Sequence, residues 1–493
     1  MMSTSNTRLN TLATVITLLS ILANSASAQP PATRDLLARE ISAAKAAGYP
    51  VTSEDLQQKI PPGEQNAFQV YLKWHEMLTA TRVITPEDET VLGLASKSNA
   101  TVQQVDGARA IVQNKHEAFD LIHSASRYPH CVFTRDYSRG SFTLYPELGE
   151  IRRMAKVLLG ESAVILHDGN PALAARTASI GFNISAHCTQ SPGLIAAGVA
   201  SAIDEMTLSE LEIILFTHPE NVAARTAVVE ALNDRGKAQR PSAALRSQIA
   251  EALADAELLR LPESQQDRMV GSHDGNILDV LNSLSDTSGI TPADLNDEVK
   301  PSVIPIINIM PPRSARAVYS DWINSVALSS VRFLRQILDA SALTYEERMA
   351  AASGATSAIS TMIVQEIQRG GRPGPSATPI AALRCEEAYN YLRLRRDDYD
   401  DARADLLRSA AAIFEYRFDK GFFPKQLEDA VPKPPIDPFD GKQVKYRQDD
   451  AGFTLFSVGR NHRFDGGRPD RPVERSEAVL RYPSNAAALS GGQ

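Results

Sequence analysis

Three side chains in one stretch have the chemistry of metal ligands. His116, Asp120 and His123 in NKHEAFDLIH are spaced four and three apart, which sets them along one helical face. Imidazole and carboxylate can hold zinc, and a metal-dependent hydrolase would rest on His116 and Asp120. At 1.5 Å rise per residue, His116 and His123 stand about 10 Å apart. One ion takes two of the three easily and all three hardly. There is no His-Glu-x-x-His, and the polar flank of an amphipathic helix accounts for the same residues.

Two His-Cys pairs come next, His130-Cys131 and His187-Cys188. Two imidazoles and two thiolates suit zinc by ligand type. Adjacent residues point apart in helix and strand alike, however, so all four converge only awkwardly. The other readings are a disulfide between Cys131 and Cys188, or buried thiols acting as small hydrophobes. With Cys385 the total is three, so at least one stays unpaired. No Gly-x-Ser-x-Gly, Gly-x-x-x-x-Gly-Lys-Ser/Thr or Gly-x-Gly-x-x-Gly occurs, which speaks against nucleotide-driven chemistry. Acidic residues are plentiful, but no spacing singles out a carboxylate pair for glycoside cleavage. The run RLRRDDYDDAR, Arg393 to Arg403, reads as a solvated helical face laced by pairs four apart; a charge-complementary docking surface is the sharper alternative. No residue is assigned a catalytic role.

These groups sit on a chain of 493 residues, 43% hydrophobic and 22% charged, a composition that folds. A net charge of -8 argues against a general affinity for nucleic acid. The start reads as an export signal. Arg8 precedes an apolar stretch from Leu9 to Ala23, and Ala26 and Ala28 fit a signal peptidase, so cleavage is expected after Ala28. The stretch is short for a membrane span, no later run reaches 18 apolar residues, and no Cys lies near the cut to carry a lipid. The expectation is a periplasmic or secreted protein without a membrane span.

Helix signals dominate the chain beyond Ala28. Thr85-Pro86, Asn170-Pro171 and Thr291-Pro292 read as helix starts, and Thr207–Glu210 and Thr344–Glu347 have capping-box spacing. Leu148, Ile151, Ala155, Leu158 and Leu159 form one apolar stripe; Val318, Trp322, Val326, Phe333 and Ile337 form another. Such stripes need covering helices, so 29–368 is expected to be an antiparallel helical array. No fixed repeat emerges. Asn296 to Pro312, with four prolines, is a second irregular stretch, and RGGRPGPSATP, 369–379, reads as a linker.

After the linker, a helical stripe of Ala402, Leu406, Ala410, Ile413 and Phe414 ends at Gly421, a C-cap. Alternation at Val444 and Tyr446, a turn at 449–452, and alternation from Phe453 to Val458 predict a strand, a turn and a strand. A hairpin is marginal alone, so it should pack on the preceding helix. The fold class expected is mainly α, an antiparallel helical array followed by a small α+β module, 380–468. A polar tail, 469–493, should be loose, with Leu480 and Tyr482 as weak anchors.

Gly421-Phe-Phe-Pro424, Leu427, Asp437-Pro-Phe-Asp-Gly441, Tyr446, FTLFSVG (453–459) and Gly466-Gly467 occur in that order. This order resembles the periplasmic domain of the type II secretion major pseudopilin. The resemblance implies a fold for under a fifth of the chain. It does not imply filament assembly, because the module is internal and no prepilin motif leads into a membrane helix. Gly452-Phe-Thr-Leu455, superficially like that motif, runs into a polar loop and reads as strand. The family's loop after Ser-x-Gly can bind calcium, which points to Asn461, Asp465 and Asp470. Asn461 stands where the pattern has an Asp, and calcium needs six to eight oxygens; a solvated turn is the alternative. Gly48-Tyr-Pro-Val-Thr52, Asn66-Ala67 and Cys131-Val-Phe133 give the whole chain a looser resemblance to exported bacterial proteins of unknown function. The function expected is an exported, non-catalytic interaction or scaffold protein with a protein partner in the cell envelope and no cofactor. An accessory partner of a type II secretion or pilus-like machine is the second reading.

Overall fold

A computed structural model describes residues 33–59, 66–81, 84–97, 99–235, 242–261, 265, 316–340, 347, 348, 350, 396–449, 452–459 and 478–483. The export signal, the 369–379 linker, the 296–312 stretch, Thr291-Pro292, Cys385 and the calcium candidates Asn461, Asp465 and Asp470 lie outside the described residues.

The chain is mainly helical with a small three-stranded antiparallel sheet near its C-terminus. Twelve helices are described: α1 Thr33–Ala46, α2 Phe68–Thr81, α3 Pro86–Ala95, α4 Val102–Asn114, α5 His116–Ala125, α6 Pro146–His167, α7 Pro171–Gln190, α8 Leu194–Thr217, α9 Val222–Arg235, α10 Ser242–Arg260, α11 Arg316–Ala340 and α12 Arg396–Lys420. The strands are β1 Lys445–Gln448, β2 Phe453–Phe456 and β3 Val479–Tyr482, paired in that order.

Local chemistry explains the helix starts. Thr85 and Asp88 close a reciprocal capping box ahead of Pro86. The Asn170 side chain accepts from the Leu173 amide, with Pro171 at the first helical position. The box expected at Thr207–Glu210 does not start a helix. It lies inside α8, and the Thr207 hydroxyl donates to the Ile203 carbonyl. The apolar run upstream extends the helix through it, and tertiary burial outweighs a local capping preference.

The stripes become core. Leu148, Ile151, Ala155 and Leu158 join α2 to α8 in one cluster. Trp322, Val326, Phe333 and Ile337 pack against α1 and α10. Ala402, Leu406, Ala410, Ile413 and Phe414 of α12 share a third cluster with α7, α8, α9 and the sheet. The C-terminal module is therefore not separately cored. Its apolar face closes over the same interior that α8 and α9 cover.

The loose tail is corrected at one place. Val479–Tyr482 pairs antiparallel with β2, Leu480 opposite Leu455 and Tyr482 opposite Phe453. Leu480 is 1% exposed. A two-stranded ribbon leaves one edge of β2 without a ladder; β3 fills it, and the core keeps Leu480.

Candidate functional site

The motif residues of the C-terminal module are held together by one carboxylate. Asp437 is fully buried. Its oxygens accept from the Phe439 amide (3.0 Å), the Ser457 hydroxyl (3.0 Å) and the Val458 amide (2.8 Å). Its own backbone closes the turn, with the Gly441 amide donating to the Asp437 carbonyl at 3.0 Å. The Asp-Pro-Phe-Asp-Gly turn is thus clasped to the end of β2. Nearby, the Tyr446 hydroxyl donates to the Pro424 carbonyl at 2.6 Å, tying β1 to the turn after α12. Gly421 caps α12 at φ +86°, a conformation that favours glycine.

Aromatic rings fill the space beneath. Phe414 of α12 meets Phe453 at 5.5 Å and Tyr482 at 4.8 Å between centroids. Phe216 of α8 lies 5.8 Å from both Phe414 and Tyr482, all edge-on, the favourable geometry for such rings. Two rings face outward instead. Phe418 and Phe422 are 50% and 54% exposed at the end of α12. The Arg225 guanidinium stacks over Phe418 at 5.4 Å, and Val222, one turn before it on α9, is 65% exposed. Phe422 packs edge-on against Tyr416 at 5.9 Å. Phe418, Val222 and Arg225 form a small rim where α9 meets α12.

At the opposite end of α12, the described part of the charge run is only partly the solvated face expected: Asp401 is exposed, but Asp398 and Asp400 are buried. Asp400 is 1% exposed and accepts from the Ser201 hydroxyl at 2.9 Å. Asp401 pairs with Arg235 at 2.7 Å, and Arg403 donates to Glu212 at 2.6 Å. Asp398 pairs with Arg348. Arg235 and Asp204, both 2% exposed, face each other at 3.6 Å. Burial works against the Arg235 charge, yet Asp204, Asp401 and Asp400 outweigh it and raise its pKa. The run alternates charge sign because α12 meets partners of both signs on α8 and α9. Removing one member of such a buried set strands the other.

The metal candidates do not converge. His123 Nε2 lies 2.8 Å from the Glu161 carboxylate, whose hydrogen bond raises the imidazole pKa. His116 opens α5, and Asp120 acts on His123 only at longer range. Among the described residues, no group of three or more His, Cys, Asp or Glu is disposed to hold a metal ion.

Of the two His-Cys pairs, Cys131, His187 and Cys188 are buried, while His130 is exposed. The Tyr71 hydroxyl lies 2.6 Å from His187 Nδ1, and His187 Nε2 lies 2.8 Å from the Tyr128 carbonyl. A carbonyl only accepts, so Nε2 carries the proton and Nδ1 accepts from Tyr71. Burial pushes His187 down to about 4 against the Tyr128 hydrogen bond, so the ring is neutral at physiological pH. Cys131 and Cys188 are buried free thiols, both with raised pKa through burial. Neutral groups with fixed partners hold a core; they do not present a nucleophile.

Sequence reasoning missed one buried acid. Glu210 of α8 is 3% exposed, and burial lifts its pKa to about 8, the Ser162 hydrogen bond working the other way. The Ser162 hydroxyl contacts both the Ala174 carbonyl (3.0 Å) and Glu210 (3.2 Å). It has one proton for two acceptors, so the neutral carboxyl supplies its own proton to Ser162. Only the assembly of α6, α7 and α8 creates that setting, and no motif marks it.

No family model matches the chain, and neither a curated protein nor a solved structure matches it.

Proposed function

We propose that this is an exported, non-catalytic interaction protein that binds a protein partner in the cell envelope through the outward rings at the end of α12. The supporting observation is the rim itself. Phe418, half exposed, sits beside Val222 and Arg225 of α9, and Phe422, half exposed, packs on Tyr416 just past the end of α12. Aromatic and Arg side chains on a rigid element are what protein interfaces favour. Among the described residues no helix is long and apolar enough to cross a membrane, so engagement with the envelope would come through such a surface.

The experiment compares the full chain with a Phe418→Ser/Phe422→Ser variant, each crosslinked in the producing cell's envelope. The expected outcome is a specific crosslinked partner lost at least tenfold in the variant, at unchanged melting temperature. Equal crosslinking by both forms refutes the rim as the binding surface.

One observation favours the narrower reading, an accessory partner of a type II secretion or pilus-like machine. The residues behind the pseudopilin resemblance are bonded to one another: Asp437 to Ser457 and Val458, Tyr446 to Pro424. The full chain is the right bait, because the module shares its core with α8 and α9. A crosslinked partner that is a secretion component supports this reading, and any other partner rejects it.

A further inference from the structure

Cys131 and Cys188 belong to the same core cluster, and each is 0% exposed. The chain from Tyr128 to Cys131 runs along the last turn of α7 and is laced to it three times. His187 Nε2 donates to the Tyr128 carbonyl at 2.8 Å, Gln190 Nε2 donates to the Pro129 carbonyl at 3.1 Å, and the Cys131 amide donates to Gln190 Oε1 at 2.7 Å. On the far side of Cys131, Asn66 grips Val132 by both its amide (3.0 Å) and its carbonyl (3.1 Å). Both thiols, free in this structure, thus lie in one buried cluster on two backbone segments that these hydrogen bonds lace together.

We propose that Cys131 and Cys188 are a redox pair that closes a disulfide while the chain folds in an oxidising compartment, stapling the segment after α5 to the end of α7. For its cellular setting the proposal rests on the reading of the chain as exported. Two thiols become one S–S bond and give up two protons and two electrons, which reduce the disulfide of an exchange partner such as glutathione disulfide to two thiols. The native state buries both sulfurs and disfavours their thiolates, so the exchange precedes final packing. The finished bond is then out of reach of soluble reductants. It would close a loop of about 57 residues, long enough for a substantial constraint on the unfolded chain.

The test uses the full chain in two arms. In the first, protein from the cell envelope or medium is alkylated in denaturant without reductant and digested. The expected result is alkylation of Cys385 alone, with a linked peptide pair through Cys131 and Cys188 two hydrogens lighter than its reduced parts. In the second, the full chain from a reducing cytoplasm is unfolded, reduced, and refolded in a glutathione redox buffer. The same linkage should form, with a melting temperature on the order of 5 °C above that of the chain refolded with reductant. A bond formed on refolding but missing from cell-derived protein supports the pairing and removes the export reading. Three alkylatable thiols after oxidative refolding, or a linkage through Cys385, overturns the pairing itself.

Discussion

Replacing Glu210 by Gln should stabilise the protein, and by an amount that depends on pH. In the folded chain the carboxyl titrates near 8, against 4.5 for a free glutamate, because α6, α7 and α8 seal it from water. Below about pH 4.5 both folded and unfolded chains hold the proton, and the residue costs nothing. Between 4.5 and 8 the folded chain alone holds it, so stability falls as pH rises, by about 1.4 kcal/mol per unit. At pH 7 the deficit is about 3 kcal/mol, and above pH 8 it levels near 5 kcal/mol. Gln keeps the shape, donates to the Ser162 hydroxyl as the neutral acid does, and never ionises. Urea unfolding of wild type and Glu210→Gln at half-unit steps from pH 5 to 9 measures the difference directly, with other titrating groups cancelling between the two. The curves should diverge steadily up to pH 8 and then run parallel. A difference that is flat with pH, or a variant weaker than wild type at pH 7, refutes the account of Glu210 as a buried neutral acid.

Two further substitutions probe how the elements are joined. Asp437→Ala leaves the Phe439 and Val458 amides and the Ser457 hydroxyl without their acceptor inside the module. At about 1–3 kcal/mol per orphaned buried group, urea unfolding should show a loss of at least about 3 kcal/mol; a loss under 1 kcal/mol contradicts the clasp. Gly181→Ala would bring a methyl to 2.1 Å from the Thr207 hydroxyl where α7 crosses α8. Thermal melting should register a cost of about 1–3 kcal/mol, largely recovered in Gly181→Ala/Thr207→Ala; an unaffected single variant would mean that the two helices do not pack this closely.

The helical character was written in the sequence at short range. Thr85-Pro86 and Asn170-Pro171 start helices because a capping side chain and a proline solve a local problem, the unpaired amides of a first turn. The stripes on α6 and α12 bury because apolar period selects one face. Gly421 stops α12, and alternation after 443 predicts two strands that do pair. Whatever needed a distant partner was not legible in this way. The run RLRRDDYDDAR carries the same letters whether it faces water or Ser201, Glu212 and Arg235; only the placement of α12 against α8 and α9 decided that Asp400 is buried and that Asp401 and Arg403 are paired. Thr207 looked like a cap and became helix interior, and Leu480 looked like tail and became strand, because each answers to neighbours remote in the chain. Glu210 and Asp437 show the same division. Glu210 is sealed from water with the Ser162 hydroxyl beside it, while Asp437 accepts from three donors, and that contrast depends on which segments close around each. Residue types and their spacing determined the elements and their apolar faces, since those depend on contacts a few residues apart. Tertiary structure decided burial, charge state and pairing, since those free energies come from groups that only folding brings together.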